Sequence, residues 1–425
     1  LPDLPTPQGW EWTALSDIAQ LESGHTPSRK HPEYWDGDIP WIGLKDAIEH
    51  HGKVIFDTYQ HVSDLGLANS SARLLPPDTV CLSRTASVGY VVVMGRSMAT
   101  SQDFVNWVCG KKINPHFLKY VLLAENDALL RFASGTTHQT IYYPEAKAFH
   151  VCLPPLPQQK SIVHILKALD DKIELNCRMN ETLEAIAQAI FTSWFVDFDP
   201  VRAKAEGRQP EGMDEETAAL FPDGFEVVDG REVPKGWTVE SLDCNIEFMN
   251  GLACQKYPPI DELDSLPVIK IRELNNGITS NTDKASKSVP LKYLIKNGDI
   301  LFSWSGSLQI CIWSYGEGIL NQHLFKVSSE LYPKWFCYLW THHFLEDFRS
   351  IAADKATTMG HIKRHNLRDA KIIVPPMELF SEIDQILSPL IEMQINNAIH
   401  SRTLAEIRDQ ILPKLISGEI RVKVA

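Results

Sequence analysis

From Ile162 onward, one stripe of positions recurs in alternating steps of four and three: Ile162, Leu166, Leu169, Ile173, Asn176, Asn180, Leu183, Ala187, Ile190 and Trp194. This spacing keeps a single helix face turned toward a partner, and it predicts a coiled-coil helix sustained for more than four heptads. A second stretch keeps the register through Ile383, Leu387, Leu390, Gln394, Asn397, Ser401, Leu404, Arg408, Ile411 and Leu415. Both stripes are apolar near their ends and polar in the middle, at Asn176 and Asn180 in one and at Asn397 and Ser401 in the other. Antiparallel pairing brings the polar middles together, where a buried Asn lowers stability but fixes register and orientation. Two surface helices with solvated mid-face residues are the alternative. Pro389 is expected to bend or loosen the first turns of the second helix.

Elsewhere the period shortens. Runs such as "TVCLS", "GYVVVM", "DFVNWV", "DILFSW", "QICIWSY" and "HLFKV" are β-branched or aromatic and are bounded by Gly, Asn, Asp and Pro, which predicts strands. Helical stretches intervene, among them "PHFLKYVLLAENDALLRFAS" and "PKWFCYLWTHHFLEDFRSIA", so each strand-rich part reads as a mixed α/β domain.

These parts repeat. "PQGW" at Pro7 answers "PKGW" at Pro234, and at an offset of 227 residues Trp10 meets Trp237, Leu15 meets Leu242 and Gly24 meets Gly251. "IPWIGLKD" (Ile39–Asp46) meets "LPVIKIRE" (Leu266–Glu273) at the same offset. At 220 residues "SRTASV" (Ser83–Val88) meets "SWSGSL" (Ser303–Leu308) and "SQDF" meets "NQHL"; at 221 "TTHQTI" (Thr136–Ile141) meets "TTMGHI" (Thr357–Ile362). The expected organisation is a first domain at 1–154, a helix at 155–196, an acidic linker at 197–233, a second domain at 234–375, and a helix with a C-terminal tail at 376–425. Two copies placed on an antiparallel helix pair are related by a half-turn. About 34 residues of helix span roughly 50 Å, on the scale of the roughly 34 Å that separates half-sites one DNA turn apart.

Composition adds limits. At 425 residues the chain has room for two or three domains, and its net charge of −13 argues against a bare polyanion binder. Eleven acids against five bases fall between Val196 and Lys235, however, so much of the acidity belongs to the linker. A basic cluster, "HIKRHNLRDAK", lies at His361–Lys371. The eight cysteines form no C-x-x-C pair and read as buried thiols in a reducing cytoplasm. The first residues lack a signal-peptide pattern and no apolar run approaches the ~18 residues that span a bilayer, so a cytoplasmic location without membrane association is expected.

With the order domain–helix–domain–helix, the "P-x-G-W" openings, "LPPLPQQKSIV" running into the first helix and "FTSWFVDFDPVRAKAEGRQPEG" at Phe191–Gly212, the chain resembles the specificity subunit of type I restriction-modification enzymes over essentially its whole length. The resemblance implies an α+β fold: two homologous mixed α/β target-recognition domains separated by two long antiparallel coiled-coil helices, pseudo-two-fold symmetric. Each domain is then expected to read one half of a bipartite double-stranded DNA site. The helices set the spacer and dock two methyltransferase subunits, and two endonuclease/translocase subunits join the assembly. It implies that this chain binds no cofactor of its own, with S-adenosylmethionine, ATP and Mg on the partner subunits.

Two other classes remain as alternatives: an autonomous DNA methyltransferase or nuclease, and a tandem-domain protein scaffold. The chain has no G-x-x-x-x-G-K-[ST] loop, no G-x-G-x-x-G opening a βαβ unit, and no Asp-Pro-Pro-Tyr or Asn-Pro-Pro-Tyr run. His361 and His365 have the i, i+4 spacing of metal ligands, but no H-E-x-x-H surrounds them and two cations lie between, so no metal site is expected.

DNA recognition needs donors for phosphates and side chains that reach base edges. Lys45 and Arg272 sit at matched places just beyond a predicted strand, where a loop would present them. The polar runs offer Ser83, Arg84 and Thr85 in one copy and Ser303, Ser305 and Ser307 in the other. Gln102 and Gln322 suit two-pronged bonding to adenine. Thr136, Thr137, His138 and Gln139 answer Thr357, Thr358 and His361, while Lys363, Arg364 and Arg368 suit phosphates. Against each stands turn chemistry, in which Ser and Thr hydroxyls satisfy local backbone groups.

Overall fold

A computed structural model of the chain describes residues 6–132, 140–354 and 360–423. Its contacts divide it into two units, Leu1–Asp171 with Leu404–Ala425, and Lys172–Thr403.

In the first unit the strand Glu11–Ala14 pairs antiparallel with His150–Leu153, so the domain is clasped where the chain enters and leaves it. Between them lies a five-stranded sheet in the order Ala19–Ser23, Phe104–Cys109, Val80–Ser83, Val91–Met94, Val54–Ile55, and a three-stranded sheet in the order Gln60–Val62, Ile39–Ile42, Ala99–Thr100. The central strands Val80–Ser83 and Val91–Met94 are buried throughout, which accounts for their continuous apolar sequence. Alternate side chains serve two faces. Val80, Leu82, Val91 and Val93 pack with Phe117 and Leu118, whereas Cys81, Val92 and Met94 pack with Ile42, Ala47 and Phe104. Phe117 and Leu118 belong to helix Pro115–Ala124, which starts where Asn114 accepts the backbone N–H groups of His116 and Phe117.

The second unit repeats this plan. Thr238–Ser241 pairs antiparallel with Lys371–Val374, and a four-stranded sheet runs in the order Glu247–Asn250, Leu324–Ser328, Ile300–Ser303, Ile310–Ile312. Leu294–Ile295 pairs antiparallel with Gly318–Leu320 where Leu75 bridges Met98 in the first unit, whereas Val54–Ile55, the fifth strand of the first unit's larger sheet, has no equivalent in this four-stranded sheet.

The acidic stretch expected as a linker is folded. The helix Leu156–Phe191 ends in a π-turn, Thr192–Val196, followed by helices Asp199–Ala205 and Glu215–Ala219 and a hairpin of Phe225–Val228 with Arg231–Pro234. Its charges face outward while Phe195, Phe198, Val201, Phe221 and Val233 enter the main core of the second unit. Phe195 lies 5.5 Å from Trp335 and Phe198 lies 5.9 Å from Trp237, ring to ring. Phe198 holds a left-handed backbone (φ 56°), a conformation worth roughly 1–2 kcal/mol of strain that the burial of its ring offsets.

The helix pair is antiparallel in both units, as its register predicts. In the second, Asn176 Nδ2 donates to Ser401 Oγ at 3.1 Å and Asn180 Nδ2 to the Gln394 carbonyl at 3.0 Å, so rising numbers on one helix meet falling numbers on the other. Helix Met377–Ile416 runs through Pro389, which is flanked by the buried Leu387 and Ile391. In the first unit the two helices are joined by Arg408, which donates to Asp170 at 3.0 Å. Asp170 also accepts from the Tyr120 hydroxyl at 2.6 Å and from the buried Lys119 ammonium at 3.3 Å, which ties the domain to its helices. Burial opposes ionisation of the Asp170 carboxyl, but Lys119, Tyr120 and Arg408 outweigh it and hold it below the usual carboxylate range.

The eight cysteines form no disulfide; Cys81, Cys254 and Cys337 are buried, as expected, whereas Cys177 and Cys244 are exposed, contrary to the reading of the cysteines as buried thiols. Among the described residues no helix is long and apolar enough to cross a membrane, and no three His, Cys, Asp or Glu side chains gather as metal ligands.

Candidate nucleic-acid interface

In the first unit the strand Val80–Ser83 ends in a tight loop shaped by Ser83. Its hydroxyl donates to the Ser87 carbonyl at 2.6 Å and accepts the Tyr90 N–H at 2.8 Å, and the residue is fully buried. Arg84 and Thr85 follow on the surface side. The Arg84 backbone is clamped by the Asp103 carbonyl (2.7 Å) and the Ile141 N–H (2.8 Å), while Thr85 bridges to Thr140 with the two hydroxyls 3.0 Å apart. Arg84 Nε donates to the Gln102 carbonyl at 3.1 Å, and the Gln102 side chain accepts from Thr26. Thr26, Arg84, Thr85, Gln102 and Thr140 thus converge.

The second unit builds the same loop with other side chains. Ser303 Oγ donates to the Ser307 carbonyl at 2.6 Å and accepts the Gln309 N–H at 2.8 Å, again fully buried. Ser305 bridges to His361, as Thr85 does to Thr140. The Ser305 hydroxyl lies 3.2 Å from His323 Nδ1, and the Gln322 amide nitrogen 3.4 Å from His323 Nε2. Trp304 packs beside His323 and His361 and donates Nε1–H to Asn250 Oδ1 at 3.1 Å.

The remaining expected residues divide. Lys45 and Arg272 lie on short helices, Leu44–Glu49 and Ile271–Asn276, rather than in loops. The Lys45 ammonium sits 3.5 Å above the Tyr59 ring. Arg272 donates Nε and Nη2 to Glu273 Oε1 at 2.9 and 2.8 Å and Nη2 to the Asn281 carbonyl at 2.8 Å, so its charge offsets a carboxylate only 1% exposed. Lys363 is exposed at the start of helix Arg364–Asp369. Arg364 reaches the Phe248 carbonyl at 3.5 Å, and Arg368 lies 3.7 Å from Asp243 while 74% exposed. Thr136, Thr137, His138, Gln139, Thr357 and Thr358 lie outside the described residues.

Sequence reasoning missed the segment after Gly24. There Thr26 meets Gln102, and the Arg29 guanidinium lies 3.6 Å from the Trp35 ring and donates to Gln60 at 2.8 Å. A signal existed in the matched glycines. A Cβ on Gly24 would stand 2.0 Å from the Ser101 carbonyl oxygen, and one on Gly251 2.2 Å from that of Asn321. Both glycines let one segment pass against the backbone next to Gln102 or Gln322.

Known proteins resemble this chain along nearly its full length. The specificity subunit of the type I restriction enzyme MjaIX from Methanocaldococcus jannaschii is 27% identical over 429 residues, covering 98% of this chain and 95% of the relative. That of HindI from Haemophilus influenzae is 29% identical over 395 residues, covering 77% and 84%. The crystal structure of a type I restriction-modification S subunit from M. genitalium shares the fold at a TM-score of 0.56 and 13% identity, covering 97% of this chain and 98% of that one. The profile described as "Type I restriction modification DNA specificity domain" matches residues 7–185 and 234–408, one match for each copy of the internal repeat. The chain therefore belongs to the type I restriction modification DNA specificity domain family.

Proposed function

We propose that this chain is the DNA sequence-specificity subunit of a type I restriction-modification complex, in which each recognition domain reads one half of a bipartite site. The helices set the separation of the half-sites and dock two methyltransferase subunits, to which two endonuclease/translocase subunits are added. In this reading the chain is non-catalytic and cytoplasmic, and S-adenosylmethionine, ATP and Mg act on its partners. One observation carries it: the same loop recurs in both units with different side chains at its tip. Thr85, preceded by Arg84, bridges to Thr140 in one, and Ser305, preceded by Trp304, bridges to His361 in the other. A shared scaffold with different donors suits two different short sequences.

Methylome sequencing of a host carrying the chain with its cognate subunits tests this. The expected result is a modified site made of two short specific segments flanking a fixed run of unspecified bases. A single continuous site, or methyl transfer by the purified chain alone, overturns the reading.

A further inference from the structure

Arg84 and Trp304 stand at the same step of the repeated loop, each directly after a buried serine and directly before the bridging residue. The backbone there is alike in both units. The Arg84 carbonyl accepts the Ile141 N–H at 2.8 Å, and the Trp304 carbonyl accepts the Ile362 N–H at 3.0 Å. What differs is what each side chain offers outward.

Arg84 spends Nε on the Gln102 carbonyl at 3.1 Å, and its guanidinium carbon lies 5.8 Å from the Tyr143 ring. The inner edge of the group is thereby fixed, while among the described residues no carboxylate pairs with it. Its terminal Nη1 and Nη2 form a planar pair of donors, the fork that meets O6 and N7 of guanine in the major groove. Trp304 has one donor, and Asn250 takes it. A tryptophan in that position offers a base only its ring surface.

We propose that Arg84 reads one guanine in the half-site of the first unit by this end-on fork, and that position 84/304 is where the sequences read by the two units part. The proposal rests on the bipartite-site reading above. A Lys or Arg that merely touches phosphate adds affinity without base preference, so the two roles are separable.

The test is selection from randomised duplexes by the full chain in complex with its methyltransferase subunits, for wild type, Arg84→Gln and Arg84→Lys. Wild type is expected to require guanine at one position of the first unit's half-site. Arg84→Gln should lose that requirement by about 5- to 150-fold, with every other position and the second half-site unchanged. Arg84→Lys keeps the charge but not the planar fork, so its salt dependence should stay near that of wild type while guanine preference falls part of the way. It also serves as the folded comparison if Arg84→Gln melts early. Three results overturn the proposal: a first half-site without guanine, variants with unchanged preference, or a uniform loss across all sequences with a shallower salt slope. Should wild type select no bipartite site at all, the functional reading fails, and that outcome is distinct from an intact site indifferent to residue 84.

Discussion

Asn397 donates from Nδ2 to Oδ1 of Asn180 at 3.0 Å, a side-chain pair in the polar middle of the helix seam. Around it the polar layer is incompletely satisfied, because Asn176 Oδ1 and Gln394 Nε2 are buried without a hydrogen-bond partner. Asn397→Ala should therefore lower stability by about 1–3 kcal/mol, since it strips a partner from Asn180. The double change Asn180→Leu with Asn397→Leu should recover that loss and loosen the choice of register. Thermal unfolding of the single and double variants checks this; a double variant no more stable than the single one refutes it.

Arg272 and Lys45 occupy matched positions but should respond differently. Arg272→Ala leaves the buried Glu273 carboxylate without its cation, a cost of about 2 kcal/mol after allowing for the exposure of Arg272 itself. Lys45→Ala removes an exposed charge above Tyr59 and should change stability by no more than about 0.5 kcal/mol. Melting curves of the two variants compare them directly.

Acid should weaken the junction at Asp170. Its carboxyl lies below its ordinary value in the folded chain, so ionised Asp170 contributes stability in full above the unfolded value near pH ~4. That contribution disappears as pH falls through the lower folded value. Asp170→Asn should destabilise at neutral pH by about 2–3 kcal/mol, because Lys119 and Arg408 lose their counter-charge. The gap between variant and wild type should narrow below pH ~4. A gap of equal size at pH 3 and pH 7 contradicts the assignment.

Gly24→Val places atoms against the Ser101 carbonyl, which cannot yield without moving the backbone beside Gln102. Discrimination within the first half-site should fall, while the second unit keeps its own. Selection of binding sequences by this variant reports both halves at once.

Period and repetition made the scaffold readable. The apolar step of alternating fours and threes led directly to the helix seam, and the offset matching Ser83 with Ser303 fell on loops of the same hydrogen-bonded form. Three features escaped for physical reasons. The acidic stretch hid its fold because its anchors, Phe198, Phe221 and Val233, are few and far apart among charges. The helices carrying Lys45 and Arg272 are six residues each, too short to show a period. Ser83 and Ser303 look like ligand-facing hydroxyls in a string of letters, and only the closed turn reveals that both are already occupied.

The clasp formed by Glu11–Ala14 with His150–Leu153, and again by Thr238–Ser241 with Lys371–Val374, brings the entrance and exit of each recognition domain side by side. Everything between those paired strands is a loop of chain closed at its neck. A recombination event that replaces the interior while sparing the neck leaves the helix registers uninterrupted. The architecture is thus a holder from which one insert is exchangeable without a break in either long helix.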